Sequence, residues 1–193
     1  MTTKQQLIKL IYPTLKRFGF QSGMANNTSG KPPGISFYDL SATSNKDQLI
    51  SLKQYKGKKV LLVNTASDCG YTPQLAELQQ LQEKYDKSLV VLGFPCNDFK
   101  EQEKGSDEDI ATFCSVNFNV QFTLMKKSNV LKNRQPGQVF EWLTNEKQNG
   151  WNNNNPGWNF TKYLVNEKGI LTDIFNTGIS PLDIRLLQAI ETI

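Results

Sequence analysis

The chain has 193 residues, 38% of them hydrophobic, with Lys+Arg 22 against Asp+Glu 18 for a net charge of +4. That length fits one domain with enough core to fold unstapled, and the mild basicity excludes a dedicated nucleic-acid binder. Histidine is absent, which removes Ser-His-Asp triads, Cys-His nucleophiles, histidine zinc sites and imidazole acid–base chemistry.

The first 38 residues hold no acid and five cations, Lys4, Lys9, Lys16, Arg17 and Lys31. Leu7, Ile8, Ile11, Leu15 and Phe18 recur at helical spacing, and Pro13 is expected to kink that helix or split it. A basic amphipathic helix can lie on a membrane surface; the alternative is an extension packed on its own domain. Gln21–Gly34, rich in Gly, Asn, Ser and Pro, reads as a linker. The expected division is therefore an extension and linker over 1–34 and a folded domain over 35–193.

Ile35–Leu40 and Gln48–Leu52 read as short strands joined by a polar turn. Lys59–Thr65 (KVLLVNT) is a continuous apolar run, as in a strand buried on both faces. Pro73–Tyr85 has helical spacing, with Thr72 as N-cap and Pro73 in the first turn. Leu89–Phe94 is a second buried strand, so the unit is β-α-β and parallel. Ser106 caps a helix whose first turn holds Asp107, Glu108 and Asp109. Pro136–Lys147 is a further helix and Gln148–Gly157 a loop. Phe160–Val165 and Ile170–Phe175 form a β-hairpin, and Pro181–Ile190 is a closing helix. A β-α-β half followed by a β-β-α half is α/β and thioredoxin-like in outline: a central mixed sheet flanked by helices, with an N-terminal hairpin and a helical extension.

Cys69, Cys96 and Cys114 are odd in number, with no Cys-x-x-Cys, so neither a zinc framework nor the thioredoxin redox motif is present. No metal or cofactor is expected. Three such cysteines suit a reducing compartment. No stretch reaches the 18 or more apolar residues of a membrane span, and Lys9 interrupts the N-terminal apolar run, so the expected location is the cytoplasm. Cys69 stands where a buried strand gives way to a helix, the crevice in which α/β sheets bind ligands. The helix dipole favours its thiolate by about 0.3–1 kcal/mol, less than one pKa unit, so further donors are needed. Position alone leaves a reactive thiol and a small apolar filler equally open.

Three blocks in order, VNTASDCGYTPQLAELQQL, VLGFPCNDFKEQEKGSDEDI and GWNFTKYLV, resemble the glutathione peroxidase family over the chain from about Ile35 onward. The resemblance implies a thioredoxin-type fold and reduction of hydrogen peroxide or organic hydroperoxides; an open loop region would admit lipid-sized ones. It also implies a catalytic set of Cys69, Gln102, Trp158 and Asn159, with Cys in place of selenocysteine. The last three carry neutral N–H donors, which would activate a thiol without histidine and stabilise the leaving oxygen. Asp98 stands where the family usually has Gln and Lys104 where it has Pro. Asp98 is expected to add negative charge near the site.

The same resemblance makes Cys114 the resolving cysteine of thioredoxin-dependent members, although it also falls on an apolar helical face with Ile110 and Phe113, as a core thiol would. Cys96 is the alternative partner. The implied reductant is thioredoxin in preference to glutathione, and the short Gln148–Gly157 connection resembles that of monomeric members. A redox relay that passes oxidation from Cys69 to a partner protein shares the first step.

Overall fold

A computed structural model of the chain describes residues 3–17 and 22–192. In chain order the elements begin with α1 (Thr3–Arg17), β1 (Met24–Asn26), β2 (Ser41–Thr43), β3 (Leu49–Ser51), β4 (Lys59–Thr65), α2 (Gln74–Lys84) and β5 (Leu89–Pro95). They continue with α3 (Asp107–Phe118), β6 (Thr123–Leu124), α4 (Gln138–Leu143), α5 (Glu146–Asn149), β7 (Lys162–Val165), β8 (Leu171–Phe175) and α6 (Ile184–Glu191).

The main sheet runs β1-β8-β7-β4-β5-β6, with β4, β5 and β6 parallel and β7, β8 and β1 antiparallel to their neighbours. This is the mixed sheet of a thioredoxin-like fold. All seven residues of β4 are buried, and the period-two pleat divides them between two cores. Leu61 and Val63 face a layer that also takes Leu75 and Leu78 of α2, Ile110 and Cys114 of α3 and Leu186 of α6. Val60 and Leu62 face the opposite layer, with Phe140 and Trp142 of α4, Phe37 and Leu52. Each such buried side chain is worth about 1.5–3 kcal/mol, so the sheet centre is the anchor on which the site loops are hung.

Several expectations are corrected. The stretch read as a linker contains β1, whose Met24–Asn26 pair with Phe175–Asp173 of β8, so the sheet begins well before Ile35. Ile35–Leu40 is not a strand: Ser36 Oγ accepts the Tyr38 N–H, and Phe37–Asp39 turn as a 3-10 helix that sinks Phe37 into the core. The hairpin is instead β2 with β3. The helix expected over Pro136–Lys147 is two, broken where Thr144 Oγ1 turns back to Phe140 O and Asn145 Oδ1 caps the Lys147 N–H. The Asn-rich loop is stitched down by buried Asn149 and Asn152, whose amides donate to Trp142 O and Leu143 O. β6, two residues long, has no counterpart among the expected elements.

At the N-terminus α1 runs through Pro13 as one helix rather than two. Phe18 and Gln21 lie outside the described residues, as do the side chains of Ile8 and Leu15.

Candidate active site

The site lies at the carboxyl ends of β4 and β5. After Thr65 the chain turns through Ala66–Pro73 into α2, and Thr72 makes the turn: its Oγ1 accepts the Cys69 N–H at 3.1 Å and donates to Ala66 O at 2.8 Å. Thr72 is therefore a loop clamp and Pro73 takes the cap position. Cys69 is fully buried, and its Sγ accepts the Tyr71 N–H at 3.5 Å.

The second wall is the loop after β5. Lys100 and Glu101 both adopt left-handed backbone, φ 50° and 51°, which folds Gln102 back so that its carbonyl accepts the Asp68 N–H at 3.0 Å. The third wall is Trp158–Asn159, just ahead of β7. Asn64, a polar residue inside the apolar β4 run, holds this pair: its Nδ2 donates to Trp158 O and its Oδ1 accepts the Thr161 N–H, each at 3.0 Å. From the other side Thr177 Oγ1 donates to Asn159 O at 2.7 Å. The Trp158 ring rests on Phe99, centroids 5.4 Å apart, with Lys100 Nζ 5.7 Å from its centre.

Cys69, Gln102, Trp158 and Asn159, more than thirty residues apart except for the last pair, thus converge. Burial pushes the Cys69 thiol up, while the Tyr71 amide and the Trp158 and Asn159 side chains pull it down; the Asp68 carboxylate adds the smallest upward push. Gln102 acts one step away: its Oε1 accepts from Asn159 Nδ2 at 2.9 Å, orienting that amide. The bond that Gln102 makes here is this accepting one, toward Asn159. Burial pushes both other thiols up to about 12, so Cys69 is the thiol that its surroundings favour for ionisation.

Cys96 sits in the opposite core layer from Cys69 and Cys114, and its Sγ approaches Asn159 Oδ1 at 3.5 Å. The Asp98 carboxylate does not face Cys69. It is buried against the 128–131 loop, its Oδ2 accepting the Val130 and Leu131 N–H groups at 2.6 and 3.2 Å, and its charge raises Cys96 instead. Lys104 is exposed and pairs with Glu101 at 3.2 Å. Asn64 and Thr177 were not picked out from the sequence; the amide within KVLLVNT was a visible signal, whereas Thr177 gave none.

The chain belongs to the glutathione peroxidase family. The Glutathione peroxidase family profile matches residues 37–144, which include Cys69, Cys96, Gln102 and Cys114. The chain is 44% identical over 147 residues to glutathione peroxidase-like peroxiredoxin 2 of Saccharomyces cerevisiae, covering 76% of this chain and 90% of the yeast protein. The crystal structure of Trgpx in apo form superposes with a TM-score of 0.61 at 32% identity, covering 81% of this chain and 96% of that one. A thiol:disulfide interchange protein of the thioredoxin family from Chlorobium tepidum superposes with a TM-score of 0.57 at 13% identity, covering 82% and 95%, which shows the shared fold. This glutathione peroxidase family member, of the non-selenium type, is a peroxide-reducing oxidoreductase.

Beside the site lies a second titratable group, Glu103, 2% exposed. Its carboxylate accepts from Ser67 Oγ at 3.1 Å and its N–H donates to Asn97 Oδ1 at 2.8 Å. Burial pushes it up to about 7, against the pull of Ser67 and Lys127. Because the folded value exceeds the unfolded one of about 4.3, Glu103 contributes its stability at low pH and loses it as pH rises through about 7. Glu103→Gln keeps an acceptor for Ser67 without the charge. The stability gained by the variant over the parent is expected to grow from about pH 4 to 8, read as melting temperature. Parallel curves would remove Glu103 from the balance.

Proposed function

We propose that the protein reduces hydrogen peroxide and organic hydroperoxides through Cys69, and that thioredoxin regenerates it. The observation that carries this reading is the convergence of Trp158 and Asn159 on a buried thiol whose pKa they lower against desolvation. The thiolate attacks the outer oxygen of ROOH, breaking the O–O bond. Sulfur gains that oxygen as Cys69-SOH, and RO⁻ takes a proton and leaves as ROH. Fixed neutral donors stabilise the charge developing on the departing oxygen beside the buried Cys69.

Cys114 then attacks Cys69-SOH, forming the disulfide and releasing water. A thioredoxin dithiol reduces that bond and is itself oxidised. Cys114 is favoured over Cys96 because it shares the core layer of Cys69. The reading places the enzyme in a reducing compartment such as the cytoplasm, in keeping with three free thiols. Among the described residues no helix is long and apolar enough to cross a membrane.

A steady-state assay with NADPH, thioredoxin reductase and thioredoxin is expected to show sustained, peroxide-dependent NADPH loss. Turnover with glutathione and glutathione reductase alone would overturn the choice of reductant. A single stoichiometric oxidation with either system would convert the reading to a redox relay.

A further inference from the structure

The net positive charge of this protein is confined to one end. Five cations and no acid fall in residues 1–38; residues 39–193 hold the other 17 cations against all 18 acids, a balance of −1. The same end forms α1, 15 residues long with no acid in its first turn. The helix is fixed to the domain through Tyr12, 7% exposed. The Tyr12 hydroxyl donates to Glu77 Oε2 at 3.0 Å, and its ring meets the Tyr71 ring edge-on at 6.4 Å.

Leu7, Leu10 and Ile11 are left facing water, 58%, 76% and 43% exposed. Their i, i+3, i+4 spacing makes one continuous apolar stripe on the helix. The segment also lies ahead of the stretch matched by the family profile, which begins at residue 37.

An apolar stripe on a helix whose only charges are positive suits the surface of a bilayer containing anionic lipid, where leucines enter the acyl boundary and cations meet headgroups. A protein partner of acidic character would satisfy the cations alone; the water-facing leucines favour lipid. We propose that α1 is a docking surface for anionic membranes. The Tyr12–Tyr71 contact orients it, because Tyr71 is two residues from Cys69 and supplies the amide to its sulfur. Docking through α1 would bring the Cys69 loop to the bilayer surface.

The test uses the full chain and co-sedimentation with vesicles of phosphatidylcholine alone or with about 30% phosphatidylserine. Binding is expected to the anionic vesicles, and to fall away near 1 M salt, where the screening length is about 3 Å. Leu10→Glu, at an exposed position that leaves the core untouched, should weaken binding about tenfold or more, the loss of one buried leucine. Absence of vesicle binding, equal binding to neutral vesicles, or unchanged binding by Leu10→Glu would overturn the proposal.

One consequence rests on the peroxidase reading above: Leu10→Glu should slow reduction of phospholipid hydroperoxide in anionic vesicles while leaving hydrogen peroxide reduction unchanged. The binding arm reads resting protein and stands or falls without it.

Discussion

Cys69→Ser is expected to lower peroxide reduction to background while the protein stays folded. Ser differs from Cys by one atom, and the Tyr71 N–H that meets Sγ at 3.5 Å retains an acceptor. A hydroxyl in that place cannot ionise near neutral pH, and no histidine exists to take its proton. Rapid mixing with hydrogen peroxide and trapping of sulfenic acid would measure the loss, with melting temperature as the control for folding. Retained peroxide reduction would remove Cys69 as nucleophile, since Cys96 and Cys114 are both held near 12 by burial. Asn159→Ala provides the graded comparison. It deletes a donor that lowers the Cys69 thiol and the partner that Gln102 orients, and losing one such group costs on the order of 10²–10³ in rate.

The central sheet was legible because its signals are strong and local. KVLLVNT and the Leu89–Phe94 run are apolar on both faces, and that pattern has one common structural solution in an α/β chain. What escaped was set by distant contacts. Met24–Asn26 carries no strand pattern and is recruited by the free edge of β8. Phe37 looked like part of a strand, but Ser36 offers its hydroxyl to the backbone and the chain turns instead. β6 is two residues long and exists because Gly93 lets Leu124 close on β5, where an added Cβ would lie 2.7 Å from Leu124 Cδ2.

The site shows the same division. Motifs brought forward Cys69, Gln102, Trp158 and Asn159, but the direction of each amide is a tertiary property. Gln102 accepts from Asn159, and Asp98 is turned into the 128–131 loop. Asp68, next to Cys69 in the chain, acts on Cys69, whereas Asp98, expected near the site, acts on Cys96.

Peroxide treatment is expected to join Cys69 to Cys114 and to unwind the second half of α3. A disulfide requires Cα atoms roughly 4.4–6.8 Å apart, while Cys114 is packed in the core on a formed helix, 2% exposed. The helix is not equally strong along its length. Its start is fixed by the reciprocal Ser106–Asp109 capping box, with the Lys127 N–H on Asp107 Oδ1 at 2.7 Å. Its end, Ser115-Val116-Asn117-Phe118, consists of weaker helix formers, leaves Val116 77% exposed and stops at a left-handed Asn119. A cavity of about 380 Å³, lined by Ser67 and Asp68 on one side and Ile110 and Phe113 on the other, already separates part of α3 from the Cys69 loop. Unwinding should therefore run from Asn119 back through Cys114 and halt before the capped first turn. Hydrogen exchange of the oxidised protein should speed up over 113–119 and stay slow over 107–111, with peptide mapping giving the Cys69–Cys114 bond. Cys114→Ser should keep the first oxidation of Cys69 and lose thioredoxin-coupled turnover. A Cys69–Cys96 bond, or full coupled turnover without Cys114, would transfer the resolving role. The fold argues against that transfer, because Cys96 lies in the opposite core layer with Asn159 against its sulfur, and reaching it would disturb the side chains that pull the Cys69 thiol down.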